Sequence, residues 1–320
     1  MWSFPLFPER ASTIAGRVDA VYFAELLVVL FFTVLIGVLI LFFAIRYRRG
    51  AVVDRTRPPT HGNIMEAAWI GIPLVLSIGM FVGATEVFFE IYTPPGDAAT
   101  VYVIGKQWMW QLQHPEGRRE INELHVPLGR PVKLVMTSHD VIHSFYVPAF
   151  RTKQDVIPGR YTTMWFEPDR IGVYHLFCAE YCGTNHSAMR GTVTVMDPAD
   201  YERWLAGGTS QTSMAQEGQG LFVQHHCAGC HGSSQTVQAP RLEGVYGRPV
   251  PIQQGEGEQA VVHFVTADDR YIRDSVLMPQ AQVVAGYKPV MPSYAGQINE
   301  DDLLKILEYI KSIGPREAPR

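Results

Sequence analysis

Two short motifs contain all four cysteines of this 320-residue chain. Cys178 and Cys182 stand at the two ends of one motif, and Cys227 and Cys230 belong to the other, with His231 directly after them. No thiol is left over for a disulfide to another part of the chain, so cofactor ligation is the predicted use of every cysteine.

The second motif has the Cys-x-x-Cys-His spacing that attaches a c-type haem. Both thiols form thioethers to the porphyrin, and the adjacent imidazole ligates the iron. The sequence therefore predicts one covalent haem c on Cys227, Cys230 and His231. Met291, in a proline-flanked loop before the last predicted helix, is favoured as the sixth ligand, with Met278 as the rival. A thioether in this position raises the haem potential.

The first motif is followed by His186 and Met189, which completes a thiolate, imidazole and thioether set that suits copper. Two cysteines on one loop can bridge a pair of metal ions, and His143 is the candidate for a second imidazole. A structural zinc site of two cysteines and two histidines is the alternative, but it leaves Met189 without a role. A single blue copper would leave one cysteine idle.

Two segments are long and apolar enough to cross a membrane, at residues 21–45 and 67–92, since a crossing needs ~20 residues. Arginines follow the first segment and place the connecting loop in the cytoplasm, so the chain after residue 92 lies outside. A cleaved signal peptide is the alternative for the first segment, which is long for one and lacks a small-residue cleavage site. The net charge of −4 argues against a nucleic-acid partner.

The chain divides at changes of composition. We expect an outer N-terminal segment at 1–20, a transmembrane hairpin at 21–95, a β-rich copper domain at 96–207, a flexible linker at 208–214 and a haem domain at 215–320. Strands are predicted by short β-rich runs at 101–104, 132–136, 161–166, 173–177 and 191–195, which favour a sandwich or barrel. Helices are predicted at 198–205, 215–224, 268–277 and 300–313.

With these motifs, the chain resembles subunit II of haem-copper respiratory oxidases from the hairpin to about residue 197. The region from about 215 to 313 resembles the cytochrome c that is fused to subunit II in some bacterial oxidases. The resemblance implies a multidomain fold: a transmembrane helical hairpin, a cupredoxin-like Greek-key β-barrel or sandwich, and an all-α cytochrome c domain. It also implies a dinuclear copper centre (CuA) whose ligands are His143, Cys178, the carbonyl of Glu180, Cys182, His186 and Met189.

Further roles follow from the resemblance alone. The Glu180 side chain is expected to help hold a magnesium ion shared with subunit I. Trp108 and Trp110 match an aromatic cluster that accepts electrons from a cytochrome, although plain core packing is the alternative. Glu66 matches the entrance of a proton channel, and the alternative is a helix-start carboxylate stabilised by the helix dipole.

The function implied is that of the electron-accepting subunit of a respiratory terminal oxidase. Electrons would pass from soluble cytochrome c or a similar donor through haem c and the copper centre to an oxygen site in subunit I, coupled to proton translocation. Expected partners are subunit I, other oxidase subunits, the soluble donor and membrane lipid. The expected location is the bacterial plasma membrane, with the N-terminus and both metal domains on the periplasmic side. A nitric oxide reductase subunit and a stand-alone membrane-tethered electron carrier remain as alternatives.

Overall fold

The computed structural model describes residues 7–54, 56, 62–207, 212–232, 239–254 and 261–314. Parts of four predicted regions lie outside these residues: 1–6 of the N-terminal segment, 55 and 57–61 of the hairpin, 208–211 of the linker, and 233–238, 255–260 and 315–320 of the haem domain.

Two long helices form the hairpin: α1 (Ala15–Arg46) and α2 (Asn63–Tyr92). Both are long and apolar enough to cross a membrane, and their apolar stretches are uncovered within the chain. Helix α1 begins before the predicted span because Ile14 and Ala15 are buried, together with Ala11, against the domain that follows. Backbone bonds hold this segment there: Ala11 N–H donates to Ala149 O at 2.9 Å, and Thr13 N–H donates to Glu167 O at 3.0 Å.

Residues 99–196 fold into two five-stranded sheets packed face to face. The strands are β1 (Ala99–Lys106), β2 (Met109–Gln113), β3 (Arg119–Ile121), β4 (Glu123–Pro127), β5 (Val132–Ser138), β6 (His143–Val147), β7 (Thr152–Val156), β8 (Thr162–Phe166), β9 (Gly172–Cys178) and β10 (Arg190–Met196). One sheet has the order β3-β2-β1-β5-β8 and the other β4-β10-β9-β6-β7. This is the predicted cupredoxin-like sandwich.

Each of the five predicted strand runs coincides with a strand of the sandwich, β1, β5, β8, β9 or β10, although β8 begins one residue later than predicted. Strands such as β3 and β7 were not predicted. Their sequences, Arg119–Ile121 and Thr152–Val156, are short and rich in charged or polar residues, so they carry little of the apolar alternation that signals a strand.

The C-terminal part is helical around a cavity, as predicted. After α3 (Pro198–Ala206), which closes the sandwich, its helices are α4 (Met214–Gln224), α5 (Ala228–His231), α6 (Asp269–Leu277) and α7 (Glu300–Ser312). It also contains an antiparallel sheet that the all-α prediction did not include: β11 (Pro249–Gln254), β12 (Val261–Thr266) and β13 (Val283–Val284), in the order β12-β11-β13. Short apolar runs such as 261–265 do not distinguish strand from helix by periodicity alone.

Helices α4 and α7 cross at close range. A Cβ at Gly218 would lie 1.9 Å from the backbone oxygen of Lys305, so the crossing requires a residue without a side chain. Helix α4 also has a reciprocal cap, because Ser213 Oγ accepts from Gln216 N–H and the Gln216 side chain accepts from Ser213 N–H. The crossing fixes the helix that leads into the haem motif.

The haem domain is packed against the outer face of the first sheet. Val101 and Val103 point into the sandwich core, whereas Tyr102 and Ile104, on the opposite face of β1, are buried in a cluster with residues of the haem domain. Val135 on β5 is buried in the same cluster. Both faces of β1 and β5 are therefore buried, and the two metal domains share an apolar interface.

Candidate metal centre and haem cavity

The six donor atoms predicted for copper lie at one end of the sandwich. Cys178 Sγ is 3.8 Å from Cys182 Sγ, 3.9 Å from His143 Nδ1 and 3.3 Å from the Glu180 carbonyl oxygen. Cys182 Sγ is 3.5 Å from His186 Nδ1 and 3.8 Å from Met189 Sδ. The structure thus brings together every residue of the predicted ligand set.

Three elements position these atoms. His143 begins β6, Cys178 ends β9, and the remaining donors lie on the loop that leads to β10. The loop turns at Gly183, whose φ of +115° is unfavourable for other residues, and a Cβ there would lie 2.9 Å from Gln107 Nε2. The Gln107 side chain in turn donates to the Cys182 carbonyl at 2.7 Å. The loop is therefore held against the β1–β2 turn.

His143 is oriented by an acidic residue that sequence reasoning missed. Its Nε2 lies 2.8 Å from Asp140 Oδ1, which leaves Nδ1 facing the thiols. Asp140 is fixed by Gln107 N–H, which donates to Oδ2 at 2.8 Å. A carboxylate that binds the second nitrogen of a ligating histidine sets its tautomer. An acid three residues before a candidate ligand was the available signal in the sequence.

The two thiols differ in acidity. Burial opposes ionisation of Cys178, but hydrogen bonds from His143 and from backbone groups prevail and lower its pKa to about 6. Burial, and then the charge of Cys178, raise the pKa of Cys182 to about 12. The site therefore favours one thiolate, and a bound cation would displace the proton of the second thiol.

This donor set fits a pair of coppers. A separation of 3.8 Å between the sulfurs is far from the ~2.05 Å of a disulfide, so both thiols are available to a metal. The site offers six donors: two thiols, two imidazoles, a thioether and a carbonyl. This number exceeds the four ligands of a structural zinc site, and the soft sulfur donors favour copper.

Both tryptophans contact this cluster, by different routes. Trp108 is partly buried, and its Nε1 donates to the Cys182 carbonyl at 3.2 Å. Trp110 is fully buried, and its ring meets that of His143 with centroids 5.9 Å apart. Only Trp108 has surface that a second protein could touch.

The haem motif opens into an apolar cavity. Cys227, Cys230 and His231 line it on one side, and Met291 lines it as well. His231 Nδ1 lies 2.9 Å from the Pro240 carbonyl, which leaves Nε2 free to face the cavity. Two thiols, an imidazole and a thioether around an apolar space fit a covalent haem. Met278 is half exposed and lies outside the set of described residues that line the cavity.

The two glutamates with predicted roles, Glu180 and Glu66, do not extend their side chains into the buried donor cluster or the haem cavity. The Glu180 side chain is exposed beside the metal cluster. Glu66 lies in the first turn of α2, at the end of the hairpin that is distant in sequence from the sandwich.

Fold and site define a class: a membrane-anchored, cupredoxin-like metal domain joined to a haem-binding domain. Comparison with known families agrees. The family model described as "Cytochrome C oxidase subunit II, periplasmic domain" matches residues 118–196, and the one described as "Cytochrome c" matches residues 215–314.

Relatives match over most of the chain. Cytochrome c oxidase subunit 2 of Alkalihalophilus pseudofirmus is 30% identical over 297 residues, which cover 87% of this chain and 82% of that protein. The subunit 2 of Thermostichus vulcanus is 33% identical over 254 residues, 62% of this chain and 77% of that protein. Among solved structures, the periplasmic domain of subunit II of cytochrome oxidase (CoxB) of Bradyrhizobium japonicum is 28% identical, with a TM-score of 0.35 over 36% of this chain and 96% of that chain.

The chain belongs to the cytochrome c oxidase subunit II family, in a form that carries a cytochrome c domain. Membership of this family makes it a subunit of a terminal oxidase, an oxidoreductase, and implies a complex with subunit I and other oxidase subunits. The first domain implies a dinuclear copper centre and the second a haem c.

Proposed function

We propose that this subunit receives electrons from soluble cytochrome c or a similar high-potential donor and passes them, by way of haem c and then the copper centre, to the oxygen-reducing site in subunit I. The observation that carries the proposal is the convergence of six donor atoms in the domain against which the haem domain is packed. When bound, the haem and the copper pair supply one-electron redox chemistry.

In this proposal the copper is held by His143, Cys178, the Glu180 carbonyl, Cys182, His186 and Met189. Asp140 supports the ligand orientation through its bond to His143. A rigid, buried donor set suits electron transfer because the ligands need little rearrangement when the charge changes. Fixed loops, the Gly183 turn and the Gln107 bond to the Cys182 carbonyl supply that rigidity.

The haem is proposed to be attached through Cys227 and Cys230 and ligated by His231 and Met291. His231 is oriented by the Pro240 carbonyl. The apolar lining excludes water, and together with the thioether it favours the reduced haem and a high potential. Trp108 is proposed as an additional point of electron acceptance, since it is partly exposed and bonds the Cys182 carbonyl; buried Trp110 would act only as packing behind it.

Three features are proposed for the assembled complex. The exposed Glu180 carboxylate is available to share a magnesium ion with subunit I. Glu66, at the start of α2, is proposed as a proton-channel entrance, which would couple oxygen reduction to proton translocation. The hairpin is proposed to lie among the lipids of the bacterial inner membrane with both metal domains on the periplasmic side, because Arg46 ends α1 and Arg48 and Arg49 follow it.

The purified complex tests the proposal. With a reduced c-type cytochrome as donor it should consume oxygen. Paramagnetic resonance should show one unpaired electron shared by two coppers, beside one c-type haem. Cys182→Ser should abolish the copper signal and oxygen uptake while the haem absorbance stays. Thr184→Ala, an exposed position on the same loop, is the matched control and should leave both signals intact.

The same preparation separates the alternatives. Consumption of nitric oxide with indifference to oxygen would favour a nitric oxide reductase. Recovery of the chain without a large haem-bearing partner would favour a stand-alone carrier. Retention of the copper signal in Cys182→Ser would contradict the ligand assignment.

A further inference from the structure

Strand β1 has its two faces in two different domains. Val101 and Val103 belong to the core of the sandwich, whereas Tyr102 and Ile104 are buried with residues of the haem domain, at 1% and 6% exposure. Strand β1 is thus part of the packed interior of both domains, and its segment from Val101 to Gly105 is called the shared wall below. One backbone segment is in van der Waals contact with both metal domains.

At its haem-domain end the wall is joined by hydrogen bonds. Lys311 Nζ donates to the Tyr102 hydroxyl at 2.7 Å, and that hydroxyl donates to the Glu308 carboxylate. Lys311 follows Ile310, which lines the haem cavity. The charge of Lys311 is balanced by Asp269, whose Oδ1 is 2.7 Å away. A short path of covalent bonds and one hydrogen bond therefore leads from the lining of the haem cavity to Tyr102.

At its copper end the wall touches a predicted ligand. A Cβ at Gly105 would lie 2.9 Å from His143 Cδ2 and 3.2 Å from Trp110 Cζ3. No methyl group fits there without a shift, so the backbone of Gly105 lies directly against the imidazole ring. Only Val103 and Ile104 separate this contact from Tyr102 along the strand.

We propose that the segment of β1 from Tyr102 to Gly105 is the medium that electronically couples the haem domain to His143, with Tyr102 as a positioning residue. This inference rests on the proposed order of electron transfer. Electronic coupling falls more steeply across gaps between non-bonded atoms than along covalent or hydrogen bonds. The β1 route has a hydrogen bond at one end, a tight contact at the other and continuous backbone between them.

The test compares two tyrosines of the same domain interface in the intact, purified complex. Tyr102→Phe removes the hydroxyl that binds Lys311 and Glu308 but keeps the ring. Tyr161→Phe is the matched control, because Tyr161 is also buried in this interface, beside Arg273, but lies outside the segment that touches His143. A photoexcited ruthenium reagent reduces the haem, and absorbance follows haem reoxidation and copper reduction.

Tyr102→Phe should slow haem reoxidation several-fold, and Tyr161→Phe should leave it unchanged. The haem potential, the copper resonance spectrum and hydrogen exchange at the β1 amides should match the unsubstituted complex in both variants. Unchanged transfer in Tyr102→Phe overturns the route. Equal slowing in both variants, with faster exchange at β1, also overturns it, because loosened docking would then be the cause. Absence of haem-to-copper transfer in the unsubstituted complex would instead refute the proposed electron order.

Discussion

The buried ion pair between Lys311 and Asp269 should be a main support of the haem domain. The side chain of Lys311 is 18% exposed and that of Asp269 is 8% exposed. Removing one partner of a buried pair leaves an uncompensated charge, which costs about 3–5 kcal/mol when burial is complete. In Lys311→Met, Asp269 would still be paired with Lys133, whose Nζ is 3.5 Å from Asp269 Oδ2. Because the remaining charge is partly compensated, we expect this substitution to lower the free energy of unfolding of the domain by about 2–3 kcal/mol.

Denaturant unfolding of the haem domain in the purified complex, followed by haem absorbance, measures this loss. Asp269→Asn combined with Lys311→Met should recover part of it, with a coupling energy of about 1–3 kcal/mol. Arg270→Met is the control, since Arg270 makes an exposed pair with Asp274 at 3.6 Å on the same helix as Asp269 and should cost less than about 1 kcal/mol. Additive effects of the two substitutions, or a loss no larger than that of the control, would refute the reasoning.

The pair also predicts a dependence on pH. Burial alone would raise the pKa of Asp269, but the charges of Lys311 and Lys133 outweigh it and lower that pKa below its ordinary value. The stability that the pair contributes is therefore fully present above the ordinary carboxyl pKa and is lost as the pH falls through the lowered one. In Lys311→Met the acid unfolding midpoint of the haem domain should move to higher pH.

Three further substitutions address the two metal sites. Asp140→Asn should weaken copper binding by about 10–100-fold, as measured by competition with a chelator, because the orienting carboxylate is lost. Gly105→Ala should displace His143 and alter the copper hyperfine pattern while the haem spectrum stays the same. Met291→Leu should remove the absorption band of sulfur-ligated ferric haem and lower the haem potential, whereas Met278→Leu should do neither.

Controls for these substitutions are available in the same domain. Asp155→Asn changes another partly exposed carboxylate of the sandwich, which binds Ser144 and Lys153 rather than a predicted ligand, and it should leave copper affinity unchanged. Gly96→Ala places a methyl group in open space and should leave the copper spectrum unchanged. Copper affinity that is equal in Asp140→Asn and Asp155→Asn would contradict the orienting role of Asp140.

Much of the fold could be predicted because its signals are local. The apolar lengths of α1 and α2 and the β-rich runs of β1, β5 and β9 are properties of short stretches of sequence. Strands β3 and β7 escaped prediction because they are short and largely polar and form through pairing with neighbours. The small sheet of the haem domain escaped because short apolar runs such as β12 do not distinguish a strand from a helix by periodicity.

The metal sites divide in the same way. Cys178, Cys182, His186 and Met189 lie on one loop, so their spacing alone predicted a shared site. His143, distant in sequence, could only be named as the candidate for a second imidazole, and the fold brings its Nδ1 within 3.9 Å of Cys178 Sγ. The groups that support the ligands could not be predicted from motif spacing. The Pro240 carbonyl and the Gln107 side chain support them only because the fold places these groups beside His231 and the Cys182 carbonyl.

The sequence by itself determined what this protein carries: two membrane-spanning segments, a sulfur-rich copper motif and a haem attachment motif. These are set by composition and by spacing over a few residues. Only the tertiary structure decided how the two metal domains meet, with Tyr102 and Ile104 buried under the haem domain and Gly105 against His143. The physical reason is that an interface between domains depends on which faces of distant strands and helices become neighbours, and no local pattern records that.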